Sequence, residues 1–309
     1  MIQVTGLTRY YGEFAAVKEV SFQIGIGEVV GLLGLNGAGK STTMKVLAGL
    51  LAPSRGQVLI EGIDVAQNPE ALRGRIGYLP EDPPLYADMT VRGFLAHCGR
   101  LKGMTREAIR LRVPEVIALA QLTGKEDQVI GTLSHGYRKR VGIAMSVVHD
   151  PRLVILDEPI SGLDPQQIAE MRHVVRNLGQ GRAVIVSSHI LSEISQTCDR
   201  ILVYHNGRLV AQGTELELAQ RSGSDTRVLI TVRGSADALE SWARSHPRVR
   251  AVARRPADPG LAAALLDLDG DAREALVADA VAAGFGIRLV ESPADELEEI
   301  FLGLTREAA

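Results

Sequence analysis

Residues 29–47, VVGLLGLNGAGKSTTMKVL, decide the fold. They pass from a β-prone apolar run through a glycine-rich turn into a helical pattern. Within them Gly34-Leu35-Asn36-Gly37-Ala38-Gly39-Lys40-Ser41 fits the phosphate-loop pattern GxxxxGK[ST]. Strand, loop and helix in that order are what phosphate binding requires. Glycines let successive backbone N–H groups turn inward around phosphate oxygens, and the helix N-terminus behind them adds partial positive charge. Lys40 brings a point cation to the β- and γ-phosphates, and the Ser41 hydroxyl suits Mg²⁺. Such a loop serves ATPases, GTPases and kinases alike.

Outward from this loop, short β-prone runs alternate with helical ones. QVTGL, AVKEVSFQI, GQVLI and RIGYL read as strands, and from Thr90 to about Leu122 the period becomes helical. Thr90 and Thr105 are N-cap candidates, Gly103 ends the first of these helices, and Pro114 is expected to kink or split the second. LVILDEP (153–159) and AVIVSSH (183–189) are continuous apolar runs, suited to strands buried on both faces of a parallel sheet. Asp164-Pro165 caps and opens a helix, and Asn206-Gly207 turns a hairpin. The alternation indicates an α/β core.

LVILDE supplies the second half of the site. Asp157 stands at the carboxyl end of a buried strand, where open α/β sheets collect ligands, and is expected to hold Mg²⁺. Glu158, one residue on, can orient and deprotonate an attacking water.

The whole-chain properties narrow the function classes. The 309 residues are 46% hydrophobic and 23% charged, an ordinary globular composition with room for two cores. With net charge −3 and no basic run, nucleic acid is not an expected partner. Two cysteines, Cys98 and Cys198, lack the spacing of a disulfide framework or zinc site, which suits a reducing compartment. The N-terminus has no signal-peptide order and no apolar stretch approaches a spanning length, so a membrane role is expected only through a partner. Of the seven histidines, His97, His135, His149, His173, His205 and His246 receive no catalytic role.

The phosphate-loop domain is expected to occupy residues 1–219, with a helical subdomain at about 90–150. The polar stretch 220–225 reads as a linker. Residues 226–309 read as a small accessory domain: RVLITVRG, SADALESWARS, VRAVARR, AALLDLD, REALVADAVAA and IRLVES give a βαββαβ string, followed by a helix at DELEEIFLGL. That order suggests a ferredoxin-like α+β unit. Asp267-Leu268-Asp269-Gly270-Asp271 lacks the glycine and terminal acid of a calcium loop and reads as a solvated turn.

Further motifs carry a family resemblance. Leu133-Ser134-His135-Gly136-Tyr137, 16 residues before Leu153, resembles the signature motif of the ABC transporter ATPases. Ser161-Gly162-Leu163-Asp164 resembles that family's loop between paired domains, His189 its switch histidine, and Tyr11 the aromatic that stacks on adenine. These elements cover residues 1 to about 215. The resemblance implies a P-loop ATPase that binds ATP with Mg²⁺ through Tyr11, Gly34 to Ser41 and Thr42. Ser41, Asp157 and Glu81 would serve the metal, and Glu158 and His189 the catalysis. It also implies a homodimer in which Ser134 and Gly136 reach the opposite subunit's ATP and Asp164 crosses between sites. IGYLPEDPPLYADMTVRGFL and SPADELEEIFLGLT are similar to exporter-type subunits, the gliding-motility ATP-binding subunits among them. The implied partner is a separate six-span permease, with the chain peripheral at the cytoplasmic face of the inner membrane. Soluble ABC ATPases and non-hydrolysing regulatory modules are the competing classes. Two departures stand out: His135 and Tyr137 replace the glycine and glutamine of LSGGQ, and Glu81 stands where the family commonly has glutamine.

Overall fold

The computed structural model describes residues 1–221, 227–270 and 272–291. It divides into two units, Met1–Thr214 and Glu215–Ala309. The first opens on two long antiparallel strands, β1 (Ile2–Tyr11) and β2 (Phe14–Ile24), and then β3 (Val29–Leu33). The glycine-rich loop leads from β3 into α1 (Lys40–Leu47). β4 (Arg55–Ile60), β5 (Ile63–Asp64), α2 (Pro69–Leu72) and β6 (Ile76–Leu79) follow. Three helices come next, α3 (Val91–Leu101), α4 (Arg106–Leu119) and α5 (His135–Val147). The unit closes with β7 (Leu153–Leu156), α6 (Pro165–Leu178), β8 (Ala183–Ser188), α7 (Leu191–Ser195), β9 (Arg200–His205) and β10 (Arg208–Gly213).

Two sheets result. The smaller runs β2-β1-β4-β5 and is antiparallel; the larger runs β10-β9-β3-β8-β7-β6 and is parallel except for β10 at its edge. β3, β7 and β8 are buried at every residue, as strands covered on both faces must be. One apolar cluster joins Val4 and Leu7 of the smaller sheet, Met44 and Leu47 of α1, and Leu32, Ile155 and Ile185 of the larger. α1 thus bears on the core, and the loop before it is fixed by packing from behind. The carboxyl ends of β3, β7 and β8 lie side by side, since Leu33 pairs with Ser188 and Leu156 with Val186. That is where ligands collect in open α/β sheets.

Capping follows the sequence closely. Thr90 Oγ1 accepts from Gly93 N, Thr105 Oγ1 from Ala108 N and Asp164 Oδ1 from Gln167 N. Asn206 and Gly207 both take left-handed φ, 47° and 82°, in the turn joining β9 and β10. The split expected at Pro114 does not occur: α4 continues from Arg106 to Leu119. Pro114 lies on the exposed face, so the carbonyl it leaves without an N–H partner can turn to water, while Val113, Val116 and Ile117 keep the helix packed.

The second unit begins with α8 (Glu215–Arg221), so residues 220–221 continue a helix where a linker is expected; 222–225 lie outside the described residues. β11 (Arg227–Arg233), α9 (Ala236–Ser245), β12 (Val249–Arg255), β13 (Leu261–Leu268), α10 (Arg273–Ala282) and β14 (Gly286–Glu291) follow. The sheet runs β12-β13-β11-β14, antiparallel throughout. Val228, Ile230 and Val232 alternate inward from β11 to meet Leu239 and Ala243 of α9 and Leu276 and Ala280 of α10. Asp271 and the expected helix at 295–304 lie outside the described residues.

Candidate functional site

The glycine-rich loop builds one wall of a cavity of about 440 Å³. Leu35 to Thr42 line it, with Tyr11, Phe14, Glu81, Glu158, Ser161 and His189 around them. Gly39 precedes α1 with φ 104°, and a Cβ there would come within 2.6 Å of the Ala16 carbonyl oxygen. Only glycine meets both demands. Lys40 begins the helix and is 5% exposed; its Nζ donates to the carbonyls of Gly34 at 2.5 Å and Leu35 at 3.3 Å. The ammonium therefore lies folded over the loop it belongs to, 3.9 Å from Glu158 Oε1. Burial draws its pKa down, against the opposing charges of Glu158, Asp157 and Glu81.

Behind the loop, the ends of β7 and β8 form a hydrogen-bonded set. Ser41 Oγ donates to Asp157 Oδ1 at 3.3 Å, and Ser187 Oγ donates to the same oxygen at 2.6 Å. The Glu158 N–H donates to Ser187 Oγ at 2.9 Å. Asp157 is buried and Glu158 is 7% exposed. Glu158 sits at φ 47°, a left-handed conformation costing about 1–3 kcal/mol for a residue with a side chain. That turn swings its carboxylate toward the cavity, where His189 Nδ1 donates to Oε2 at 3.1 Å. Burial raises the Glu158 carboxyl; the His189 hydrogen bond and the Lys40 charge act against that rise. The result is a carboxylate held in a poorly hydrated place beside a cavity, hydrogen-bonded to His189 and 3.9 Å from the Lys40 ammonium. Such a group is suited to taking a proton from a water in that cavity.

The residues singled out from the sequence fall into two groups. Tyr11 and Glu81 join Leu35–Thr42, Glu158 and His189 around the first cavity; Gly34 and Asp157 do not line it but bond to its wall, through Lys40 Nζ and Ser41 Oγ. Tyr11 is 46% exposed and presents its ring to solvent, with the Arg9 guanidinium 5.3 Å from its centroid. Ser134, Gly136 and Asp164 line a different concavity of about 190 Å³ with Tyr137, Arg140 and Gln167. Ser134 caps α5, its Oγ accepting from Tyr137 N at 3.4 Å. Two cations lie over the Tyr137 ring, Lys125 at 5.3 Å and Arg140 at 5.4 Å from its centroid.

Three contributors escaped the sequence. Phe14 shares the rim with Tyr11, across the turn joining β1 and β2. Ser187 bridges Asp157 and Glu158, and the pair of serines ending an apolar buried strand was the available signal, without marking which of the two serves the site. Lys139 is buried, with Nζ 2.7 Å from the Glu81 carbonyl oxygen and 3.3 Å from that of Glu158. Lys139 and Arg140 are both buried, and nothing in the triplet Arg138-Lys139-Arg140 marks which cation reaches the Glu158 carbonyl.

Comparison with known proteins agrees with this geometry. A family model described as ABC transporter matches residues 17–161. The linearmycin resistance ATP-binding protein LnrL of Bacillus subtilis (strain 168) is 32% identical over 310 residues, covering 99% of this chain and 98% of that protein. The Nod factor export ATP-binding protein I of Rhizobium sp. (strain N33) is 31% identical over 315 residues, covering 98% and 96%. Among solved structures, the dimeric bacterial ABC transporter cassette MJ0796 superposes with a TM-score of 0.63 at 25% identity, over 69% of this chain and 98% of that one.

Proposed function

Since the chain belongs to the ABC transporter family, as an ATP-binding subunit that hydrolyses ATP, we propose that Glu158 is its general base and that two copies share their ATP sites to drive a separate permease, in the direction of export. The observation that carries the reading is the joint one: Lys40, Glu158 and His189 face a single cavity walled by the phosphate loop.

ATP enters with adenine against Tyr11, beside Phe14, and its phosphates against the N–H groups of Gly34 to Thr42. Lys40 exchanges its two loop carbonyls for the β- and γ-phosphates. Mg²⁺ fits the oxygen set of Ser41 and Asp157. With only these protein oxygens, substrate phosphates would complete the coordination, as is usual for Mg²⁺. Glu81 stands at the rim as a further oxygen donor. When bound, the ion offsets charge on the β- and γ-oxygens. Water attacks the γ-phosphorus, Glu158 accepts its proton, and the bond to the β-phosphate oxygen breaks to release ADP and phosphate. His189 holds the carboxylate in line through Nδ1.

Ser134 and Gly136 line a separate concavity from the phosphate loop, which supports a two-fold arrangement in which one copy's signature completes the other's site. Asp164, which lines that second concavity, is then the crossing residue. Two relatives over nearly the full chain are named for resistance and export, which supports an exporter; the narrower likeness to gliding-motility subunits belongs to the same proposal. No helix among the described residues is long and apolar enough to cross a membrane; the family resemblance implies a six-span permease on another chain and attachment through it at the cytoplasmic face of the inner membrane. The test is phosphate release: Glu158→Gln slows it roughly 10²–10⁴-fold while ATP still binds, and unchanged turnover removes Glu158 from the role.

A further inference from the structure

Glu158 owes its geometry to grips on both sides of one residue. Its φ of 47° is sparsely populated for a residue with a Cβ, and such conformations persist only where the surroundings over-determine them. On the amide side, the N–H donates to Ser187 Oγ at 2.9 Å. On the carbonyl side, the oxygen accepts from Lys139 Nζ at 3.3 Å, with a longer bond from Ser161 N at 3.4 Å. The Ser187 grip comes from the sheet. The Lys139 grip comes from α5, the helix capped by Ser134, and reaches the site from outside the sheet.

Lys139 holds something else as well. The same ammonium donates to the main-chain oxygen of Glu81 at 2.7 Å. Glu81 lies two residues past β6, on the cavity rim. A single buried cation therefore spans α5, the Glu81 segment and the residue carrying the carboxylate. Burying a lysine costs free energy unless its donors are used. Here two of the three go to main-chain carbonyls. Burial draws its pKa down, while the negative charges of Glu81, Asp82, Glu158 and Asp157 act to keep the ammonium charged. A neutral side chain would fill the space more cheaply, so the cation's use lies in what it ties together.

We infer that Lys139 is a positioning residue for Glu158: it fixes the strained backbone of the general base and makes that position depend on the Glu81 segment and on α5. Displacement of either element shifts the ammonium, relaxes the Glu158 carbonyl and moves the carboxylate off the attacking water. Hydrolysis, rather than nucleotide binding, is what such a device controls. The inference rests on Glu158 being the base.

The experiment uses the full chain, single-turnover hydrolysis and a separate titration of ATP affinity. Lys139→Met keeps the length and removes the donors. It is expected to lower the hydrolysis rate roughly 10–100-fold while ATP affinity changes by less than about 3-fold. Lys139→Gln, which keeps an amide donor, is expected to recover part of that rate. In Glu158→Gln, adding Lys139→Met should cost less than about 3-fold more, because the residue acts through the carboxylate already removed. An affinity loss in step with the rate loss, or the same fold-loss in both backgrounds, overturns the inference. If Lys139→Met does not fold, Lys139→Gln supplies the same comparison: a rate loss in the native background that vanishes in Glu158→Gln supports it, and an undiminished one refutes it. Wild-type turnover by Glu158→Gln alone would instead remove the reading on which the inference rests.

Discussion

Ser187 shows how much of the site depends on one hydroxyl. It donates to Asp157 and accepts from the Glu158 amide, so removing it leaves a buried N–H without its partner and frees an acid that Ser41 alone then holds. Ser187→Ala should destabilise the fold by about 1–3 kcal/mol in a denaturant titration and lower the hydrolysis rate; a change in neither would mean the bridge is idle. Tyr11→Ala should weaken ATP binding by about 1–3 kcal/mol, as for an aromatic stacked on a base. The equivalent change at Tyr10, which is absent from the cavity lining, should leave affinity unchanged, and a fluorescence titration distinguishes the two. That Lys40, Asp157 and Glu158 come together at one site was legible from motif spacing. Ser187 and Lys139 were not, because their importance arises from distances of 2.6–3.3 Å across elements far apart in the chain.

Elements were legible where hydrophobic period and caps agreed. β3, β7 and β8 are continuous apolar runs, and Thr90, Thr105 and Asp164 cap as their residue types suggest. Pro114 misled because the cost of proline depends on which face of the helix it occupies. Pro114→Ala should restore one main-chain hydrogen bond and raise the stability of α4 by about 1–3 kcal/mol, read as a shift in urea midpoint without a change in slope. His149, just past α5, donates from Nε2 to the Ile76 carbonyl of β6 at 3.0 Å and has its pKa drawn down to about 4 by burial, aided by the Lys102 charge. Its ordinary value is 6.5, so the unfolded chain binds a proton more readily than the folded one. Stability from the neutral ring is full above pH 6.5 and is lost as pH falls toward about 4. Allowing for the part of the ring water reaches, the loss is about 2 kcal/mol. His149→Phe should flatten that part of the stability–pH curve; an unchanged slope would show that other groups set it.

At the scale of the molecule, every residue assigned to nucleotide chemistry lies within Met1–Thr214. The unit beginning at Glu215 has its own apolar core between sheet and helices. A chain ending at residue 221 should therefore keep its ATP affinity, measured by the same titration, and a folded truncation that cannot bind ATP would make the second unit part of the site. In the shared-site arrangement proposed above, one copy's Ser134 and Gly136 complete the ATP site of the other. Light scattering of Glu158→Gln with Mg²⁺ and ATP tests it most directly, because ATP persists when hydrolysis is suppressed. From a monomer of 33.2 kDa, the mass should double when ATP is added, and Ser134→Arg placed in the same background should abolish the doubling. A mass that stays at the monomer value at every ATP concentration, with the permease and without it, would contradict the shared site.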